Sequence, residues 1–343
     1  MSSNSSSADS CSCDRFRSSG RLSKAWPAYV LVAGLFYGQA QAADAVLGVV
    51  AARSIPIVDA HLHVMTWMDV RELVGYMDRN AIRSAGGVGI GGAKSPGAGQ
   101  SKFAETVSVL GSRYIRPTGQ GVWLTLHQTL NAAAFENPDT PAVKGRLSAI
   151  EGDLRDRGAR VIGEIHVNAL TTSPETVTQF KVRADSPTLK ALFDLAGKYN
   201  RPLNIHAQWD SDTAQEVERL AASNRRARLV LAHCGCFATP SDIRGLFERQ
   251  PNVSCDLSWR GAPPIRGRSA YQAVFDERSI LDGWKKLIED YPDRFVVGVD
   301  IPRSWEDYES IMHTIRFGLL ANLSPETAEK VAHKNAEAWF GLE

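Results

Sequence analysis

Short apolar runs alternate with amphipathic stretches from residue 55 almost to the end of the chain. The runs are about six residues long and rich in Val, Ile and Leu, which is typical of strands covered by helices on both faces. Strands that alternate with single helices in this way predict a parallel sheet. The predicted strands are Ile55–His61, Arg160–His166, Pro202–His206, Arg228–His233, Asn252–Asp256 and Arg294–Asp300. The predicted helices are Asp69–Arg79, Val143–Arg157, Ser186–Tyr199, Thr213–Asn224, Ser241–Arg249, Ile280–Tyr291, Trp305–Leu320 and Pro325–Phe340.

This alternation predicts the α/β fold class and, within it, a single-domain (β/α)8 TIM barrel. About 290 residues of repeated strand–helix units fit one eight-stranded barrel better than two domains. The second and third strands must lie between residues 80 and 130, where the pattern is hard to read. Tyr114–Arg116 and Val122–Leu126 are the candidates for the next strand in that region.

A glycine-rich run lies in the same region and matches the GxGxxG pattern of dinucleotide-binding proteins at Gly87-Val88-Gly89-Ile90-Gly91-Gly92. That pattern binds a dinucleotide where a helix starts and presents its N-terminus to the pyrophosphate. Lys94-Ser95-Pro96-Gly97 follows and is expected to break any helix. We therefore interpret the run as a loop over the mouth of the barrel and predict no nucleotide cofactor.

The first 42 residues follow the order of a secretory signal peptide. Basic residues up to Lys24 precede an apolar run from Ala25 to about Gly38, and Ala40-Gln41-Ala42 is a small-x-small cleavage pattern. The run is short for a membrane span, so cleavage would leave a catalytic domain, residues 43–343, with no stable span. The predicted localisation is periplasmic or secreted, and an uncleaved, membrane-anchored protein is the alternative.

The balance of charged residues indicates which kind of partner the protein binds. Lys and Arg total 39 against 38 for Asp and Glu, a net charge of +1, so no basic excess is available to bind nucleic acid. The predicted partner is a small-molecule substrate, and the sequence leaves a homo-oligomer open.

After residue 42 the cysteines are Cys234, Cys236 and Cys255, too few for a disulfide framework. In an oxidising compartment Cys255 could bond to one of the other two.

Side chains that can bind a metal stand at the ends of the predicted strands. His61 and His63 end the first, and because alternate residues of a strand share a face, both imidazoles are expected to point inward with Asp59. The ends of later strands carry Glu164, His206, His233 and Asp300. All such ends meet at one rim of a parallel barrel, where enzymes of this fold place their catalytic groups. A nitrogen and oxygen cluster of this kind predicts a divalent metal, Zn²⁺ first, with Mn²⁺ or Fe²⁺ as alternatives.

The order HxH, Glu, His, His and Asp on strand ends resembles the amidohydrolase superfamily of metal-dependent hydrolases, and most closely its amidohydrolase-related branch, which also contains decarboxylases. The resemblance covers roughly residues 55–340. Asn335-Ala336-Glu337-Ala338-Trp339-Phe340 is similar to the C-terminal signature of that branch, and Gly163-Glu164-Ile165 is similar to the corresponding strand of deoxyribonuclease-like members. The chain departs from the usual pattern at Cys234-Gly235-Cys236, where small residues are more common.

The resemblance implies that His61, His63 and Asp300 are ligands of the first metal position. A divalent cation lowers the pKa of its bound water to about 7, which makes hydroxide available as a nucleophile. Asp300 could accept the proton from that water and pass it to the leaving group. The predicted reaction is hydrolysis of an amide, lactone or ester bond. Non-oxidative decarboxylation on the same scaffold is the alternative, and a non-catalytic metal- or ligand-binding barrel is a third hypothesis.

Two arrangements of the remaining ligands stay open. In a one-metal site, His206 completes the ligand set and His233 polarises the substrate or stabilises an oxyanion. In a two-metal site, Glu164 bridges the ions, and His206 and His233 hold the second one. Glu164 is otherwise a hydrogen-bond partner of an imidazole or a basic side chain. His166 shares the face of Glu164, and its interpretations are a contact to substrate, a partner of a ligand, or a structural histidine.

Several large side chains follow predicted strands near the expected rim. Trp209, Trp259, Arg260 and Arg303 are among them. They could bind an aromatic or anionic substrate, since the planar guanidinium of arginine matches the geometry of a carboxylate. Packing or solvation explains each of them individually as well.

Overall fold

All strands of the described chain run parallel to their neighbours, as the alternation of strands and helices predicts. The computed structural model describes residues 45–121, 130–170, 180–261, 272–281 and 283–342. Within these ranges the strands are β1 (Ile57–Leu62), β2 (Ile82–Gly87), β3 (Tyr114–Ile115), β4 (Pro117–Gly119), β5 (Val161–Asn168), β6 (Leu203–Ala207), β7 (Leu229–Ala232), β8 (Val253–Asp256) and β9 (Phe295–Val296).

Most of the helices lie between strands, and each helix predicted from the sequence overlaps at least one of the observed helices. The α-helices are α1 (Gly48–Ala52), α2 (Val70–Arg79), α3 (Pro96–Leu110), α4 (Ala133–Glu136), α5 (Pro141–Asp156), α6 (Pro187–Tyr199), α7 (Ser211–Ser223), α8 (Pro240–Arg249), α9 (Trp284–Asp290), α10 (Trp305–Thr314), α11 (Pro325–Glu329) and α12 (Asn335–Phe340). Wider π-helical turns, Ile315–Leu319 and Lys330–Lys334, continue α10 and α11.

The strands form two sheets whose order follows the chain. β1 to β3 make one sheet and β4 to β9 make the other, and Arg116 alone separates β3 from β4. Beyond β9 the chain returns to β1. There the Ala60 amide donates to the Val297 carbonyl at 3.0 Å, and the His63 amide donates to the Asp300 carbonyl at 2.9 Å. The predicted α/β fold with parallel strands is therefore confirmed, whereas the closed eight-stranded barrel stays a prediction.

Local sequence signals explain where helices begin. α3 begins at Pro96, and the Ser95 hydroxyl accepts a hydrogen bond from the Ala98 amide at 3.3 Å. The segment that was expected to break a helix therefore starts one, and that prediction was wrong. Proline is well suited to the first turn of a helix because its missing N–H has no partner to lose there. Pro187 and Pro240 begin α6 and α8 in the same way.

The C-terminal helix packs against one end of the strands. Trp339 and Phe340 of α12 form an apolar cluster with side chains from near the amino ends of several strands. The strand members of this cluster are Val58, Ala60, Ile115, Val161, Val230 and Val296. Because apolar packing fills the amino ends, the carboxyl ends are the place where a polar site can form.

Two strands, β2 and the short β4, were not identified from the sequence. A side chain at Gly87 would lie 2.1 Å from the carbonyl oxygen of Ala60 in β1, so glycine is required where β2 approaches β1. Because glycine takes positions where two strands approach closely, β2 lacks the run of β-branched residues by which the other strands were predicted. β3 confirms part of the candidate Tyr114–Arg116, and the candidate Val122–Leu126 lies outside the described residues.

The predicted signal peptide, residues 1–42, also lies outside the described residues. Asp44–Glu343 group together as one compact unit. Across the described ranges, no helix combines the length and the apolar composition needed to cross a membrane.

Candidate metal centre

Five of the six predicted ligands lie at or just beyond the carboxyl ends of β1, β6 and β7 or in the segment that follows β9, and Glu164 lies in the middle of β5, which continues to Asn168. Each of them is buried, with at most 4% of its surface exposed. The structure therefore brings together residues that are separated by up to 239 positions along the chain (Asp300 − His61). The six residues are His61, His63, Glu164, His206, His233 and Asp300.

The tightest arrangement involves β1 and the segment after β9. The Nε2 atoms of His61 and His63 lie 3.4 Å and 3.5 Å from the same carboxylate oxygen of Asp300. Two ligand atoms that are each about 2.1 Å from a tetrahedral ion lie about 3.4 Å apart, so this spacing fits a metal site. In the described part of the chain, His61 Nε2 is buried and has no hydrogen-bond partner. These three donor atoms therefore match the size and chemistry of a divalent cation.

Three of the imidazoles are held through their Nδ1 atoms. His61 Nδ1 bonds to a carboxylate oxygen of Asp256, and His63 Nδ1 lies 2.9 Å from the Gly89 carbonyl. His233 Nδ1 lies 3.0 Å from the Ser258 carbonyl. With Nδ1 fixed in this way, Nε2 of each ring faces the site and would offer its lone pair to an ion once it has lost its proton, which is the usual arrangement of histidine ligands.

Glu164 of β5 lies between the imidazoles. Its Oε1 is 2.9 Å from His206 Nδ1 and 3.3 Å from His233 Nε2, and its Oε2 is 3.3 Å from His166 Nε2. The same Oε2 lies 3.7 Å from His63 Nε2. Burial alone would raise the pKa of Glu164, but the charge and hydrogen bond of His166 and the hydrogen bonds of the other imidazoles lower it well below its usual value. Glu164 is therefore an ionised, buried carboxylate.

The imidazoles differ in their affinity for protons. Burial lowers the pKa of His206 to about 4, against the opposing effect of Glu164, so this ring is neutral at pH 7. Burial also acts to lower the pKa of His61, but the charge and hydrogen bond of Asp256 raise it well above its usual value. A cation that binds His61 must therefore displace a proton from Nε2, which makes metal affinity fall at low pH.

Asp59 does not join the imidazoles, contrary to expectation. Its carboxylate accepts hydrogen bonds from the Val299 amide at 3.0 Å and the Tyr308 hydroxyl at 2.9 Å. The pairing register of β1 shifts between Asp59 and Leu62, so the alternation of a regular strand does not extend from Asp59 to His61. Burial raises the pKa of Asp59 to about 6, although both hydrogen bonds oppose the rise. Asp59 thus ties β1 to its neighbours.

The contacts of Arg260 agree with packing, one of the two interpretations of this residue from the sequence, and not with a substrate contact. Its side chain is fully buried, and its guanidinium donates to the carbonyls of His233 at 2.7 Å, Cys234 at 3.2 Å and Ala238 at 3.3 Å. The guanidinium also lies 4.9 Å from the centre of the Trp284 ring. Arg260 therefore holds the loop that carries His233.

Asp256 contacts the candidate site through His61, and the sequence interpretation did not single it out. It ends β8, but a lone aspartate at the end of a strand carries no pattern comparable to HxH. The Ser258 amide donates a hydrogen bond to Asp256 Oδ1 at 2.6 Å. Its position at the end of a predicted strand was the one available signal.

Replacing Asp256 with asparagine is expected to weaken metal binding by about 10–100-fold, since removing the group that orients a histidine ligand has effects of that size. The loss of the negative charge also makes His61 Nε2 less basic and so a weaker ligand. Isothermal titration of metal-free protein with Zn²⁺ measures the effect. Asp78→Asn, at an exposed carboxylate paired with Arg113, is the control and should bind like wild type. Equal affinities for both variants would contradict the role of Asp256.

A disulfide joins Cys234 to Cys255, while Cys236 is a buried free thiol. The sequence left the partner of Cys255 open. Cys234 follows His233 and Cys255 precedes Asp256, so the bond connects the two chain segments that hold His233 and His61.

Cys255→Ala is expected to destabilise the protein by about 3 kcal/mol, because the bond closes a loop of 21 residues. Chemical denaturation of oxidised wild type and variant measures the difference. The control is the same comparison after reduction of both proteins, where most of the difference should disappear. A difference that persists in full after reduction would show that the disulfide is not its source.

Comparisons with known proteins come from sequence and from structure. Residues 128–342 match the family model described as Amidohydrolase, a segment that includes Glu164 to Asp300 but not His61 or His63. No curated protein matches the sequence. The fold is similar to that of 2,6-dihydroxybenzoate decarboxylase complexed with 2,6-dihydroxybenzoate, with a TM-score of 0.52 and 13% identity over 84% of this chain and 99% of that chain.

Two further structures resemble the chain less well. One is an amidohydrolase from Burkholderia multivorans with bound zinc, with a TM-score of 0.46 and 15% identity over 80% of this chain and 88% of that chain. The other is a dihydroxybenzoic acid decarboxylase from a Polaromonas species with bound manganese, with a TM-score of 0.46 and 13% identity over 79% of this chain and 85% of that chain.

Proposed function

Because the chain belongs to the amidohydrolase family, we propose that it is a metal-dependent hydrolase that cleaves an amide, lactone or ester bond in a small molecule. The observation that carries the proposal is the buried Nε2 atom of His61, which lacks a hydrogen-bond partner in the described chain and lies 3.4 Å from Asp300. Leaving a buried polar atom unpaired costs about 1–3 kcal/mol. A cation at this position would remove that cost.

We propose that the two sheets close into a (β/α)8 barrel. The hydrogen bonds between β1 and the segment after β9 support closure on one side, and the single residue between β3 and β4 supports it on the other. Enzymes of this fold carry their active sites at the carboxyl ends of the strands, where the candidate ligands lie.

The residues that would hold the cation are His61, His63 and Asp300, with His206 or Glu164 completing the set. A nitrogen-rich donor set suits Zn²⁺ first, with Mn²⁺ or Fe²⁺ as alternatives. When bound, such a cation would act as a Lewis acid that lowers the pKa of water and polarises the bond to be cleaved.

Asp300 is the proposed proton acceptor. Burial opposes its ionisation, but the positive charges of His233 and of the nearby His61 ring lower the pKa of Asp300 to about 2. The carboxylate is therefore ionised at neutral pH. It can take a proton from the attacking water and return it to the leaving group.

His233 is the proposed donor to the oxygen that gains negative charge. Burial acts to lower its pKa, but the charge of Asp300 and the hydrogen bond to Glu164 raise it above the usual value. Because the Ser258 carbonyl fixes Nδ1, a proton on Nε2 would be directed into the site. A fixed donor aimed at developing charge contributes several kcal/mol to the stabilisation of a transition state.

The test combines metal removal with product analysis. Chelator-treated protein is assayed against esters, lactones and amides before and after reloading with Zn²⁺ or Mn²⁺. The proposal predicts turnover in the loaded protein alone, with one water consumed per bond cleaved. Release of carbon dioxide from an aromatic or unsaturated acid would instead support a decarboxylase. Metal retention without turnover across the library would support a non-catalytic barrel.

We also propose that the protein is exported. The disulfide Cys234–Cys255 is typical of proteins from oxidising compartments, which agrees with the signal-peptide pattern of the first 42 residues. N-terminal sequencing of the native protein tests this. A mature terminus directly after Ala42 supports export with cleavage, and an intact terminus in a membrane fraction supports the anchored alternative.

A further inference from the structure

We propose that the amino ends of β6 and β7 form a binding site for a small oxyanion with two negative charges, such as phosphate or the phosphate group of a monoester. The site is a cavity of about 320 Å³ lined by Arg201 and Arg228, which precede these strands. That volume is at the lower end of the range for small-molecule sites. The candidate metal ligands lie toward the other ends of the strands, so this inference does not depend on the proposed function.

An arginine stands just before five of the six strands of the second sheet. Arg116, Arg160, Arg228 and Arg294 directly precede β4, β5, β7 and β9, and Arg201 lies two residues before β6. Because these strands run parallel, their amino ends meet at one end of the sheet. The whole chain has a net charge of only +1, so this end concentrates positive charge that the overall composition does not reveal.

The C-terminal helix α12 holds the two guanidinium groups of the cavity. The guanidinium of Arg228 lies 4.6 Å from the centre of the Trp339 ring, and its Nη1 donates to the Ser254 hydroxyl at 2.7 Å. Nη1 of Arg201 donates to the Phe340 carbonyl at 3.0 Å. A guanidinium has five N–H donors, and these hydrogen bonds use one nitrogen of each group. Donors therefore remain on both arginines for a ligand in the cavity.

The cavity holds more positive than negative charge. In the described part of the chain, the ion pairs of arginine do not include Arg201 or Arg228. Asp293 also lines the cavity, but its side chain is 69% exposed and lies 3.1 Å from the amino group of Lys330. A bound dianion would supply the partner that the two arginines lack.

The pKa values of both arginines agree with a shortage of negative charge around them. Burial lowers the pKa of Arg228 to about 10, and the charge of Arg294 adds to the decrease, although Asp293 opposes it. Burial and the charge of Arg160 lower the pKa of Arg201. Both groups remain charged at neutral pH, and a buried charge without a partner is unfavourable. An anion between them would reduce this free-energy cost.

The pair of arginines also indicates the chemistry of the ligand. The planar fork of a guanidinium donates two parallel hydrogen bonds to a phosphate or a carboxylate. A single carboxylate has two oxygens and one charge, which suit one fork. Phosphate and its monoesters have at least three acceptor oxygens and carry up to two charges at neutral pH, which suit two forks. The free ion and the monoester share this chemistry, and the experiment distinguishes them.

Isothermal titration of the protein as purified with phosphate, glycerol 3-phosphate and acetate, at constant ionic strength, tests the site. Arg201→Gln and Arg228→Gln should each weaken phosphate binding by about 10-fold or more, the effect of losing a hydrogen bond to a charged group. Acetate should bind wild type about 10-fold more weakly than phosphate, because it can pair with one guanidinium only. Arg146→Gln, at an exposed arginine of α5, is the matched control and should bind phosphate like wild type.

The variants separate this cavity from the metal centre, where phosphate could also bind. If Arg201→Gln and Arg228→Gln both bind phosphate as wild type does, the anion lies elsewhere and the inference is wrong. The absence of saturable binding to wild type, or equal affinities for acetate and phosphate, would contradict it as well. Tighter binding of glycerol 3-phosphate than of phosphate would identify a monoester as the ligand, and the reverse order would identify the free ion. Thermal unfolding of each variant, and Arg228→Lys, which keeps the charge and should retain part of the affinity, separate loss of a ligand from loss of fold.

Discussion

Replacing Asp300 with asparagine will lower kcat of the metal-loaded protein by about 10²–10⁴-fold, the range expected when a general base is removed. Asparagine keeps the size of the side chain but cannot accept a proton from water. The change also removes the negative charge that faces the Nε2 atoms of His61 and His63. Metal occupancy should therefore fall together with turnover.

The measurement is kcat on the best substrate of the wild type, with metal content determined on the same sample. Asp293→Asn is the matched control, because Asp293 precedes β9 at the opposite end of the strands and its side chain is 69% exposed. Turnover of Asp300→Asn within a few-fold of the control would show that another group accepts the proton.

Replacing Arg260 with methionine will destabilise the protein by about 3–5 kcal/mol. The change leaves the buried carbonyls of Cys234 and Ala238 without this donor, and each buried, unsatisfied group costs about 1–3 kcal/mol. The His233 carbonyl loses one of two donors and keeps the Cys236 amide. The contact of the guanidinium with the Trp284 ring is lost as well. Arg260→Lys restores a charge but not the planar fork that reaches several carbonyls, so it should recover a part of the stability.

Chemical denaturation of the wild type and both variants measures these differences. The control is Arg226→Met, at an exposed arginine that precedes β7, whereas Arg260 contacts the loop that follows β7. It should change the free energy of unfolding by less than about 0.5 kcal/mol. A loss in Arg260→Met no larger than in the control would mean that the loop of His233 does not depend on the guanidinium.

The sequence predicts the site where simple periodicity applies. A buried parallel strand ends at one edge of its sheet, so the polar residues after Leu203-Asn204-Ile205 and Leu229-Val230-Leu231-Ala232 had to approach one another. The position of His206 and His233 follows from that rule alone. HxH on β1 adds chemical specificity, because two imidazoles two residues apart can bind one ion.

Predictions failed where close packing or irregular pairing replaces periodicity. β2 was missed because its approach to Ala60 requires glycine, and Asp59 turned away from the site because β1 shifts its register. The start of α3 was missed because Pro96 was interpreted as a breaker although it occupies a first turn. Arg260 could not be assigned to the interior from sequence, since the carbonyls that bind it belong to a loop without a pattern.

The central claim is that His61, His63 and Asp300 hold a divalent cation, and anomalous diffraction from crystals of zinc-loaded protein tests it most directly. The account predicts a peak about 2.0–2.2 Å from His61 Nε2, His63 Nε2 and an Asp300 carboxylate oxygen. A fully loaded crystal whose anomalous density lies away from these three atoms would contradict it.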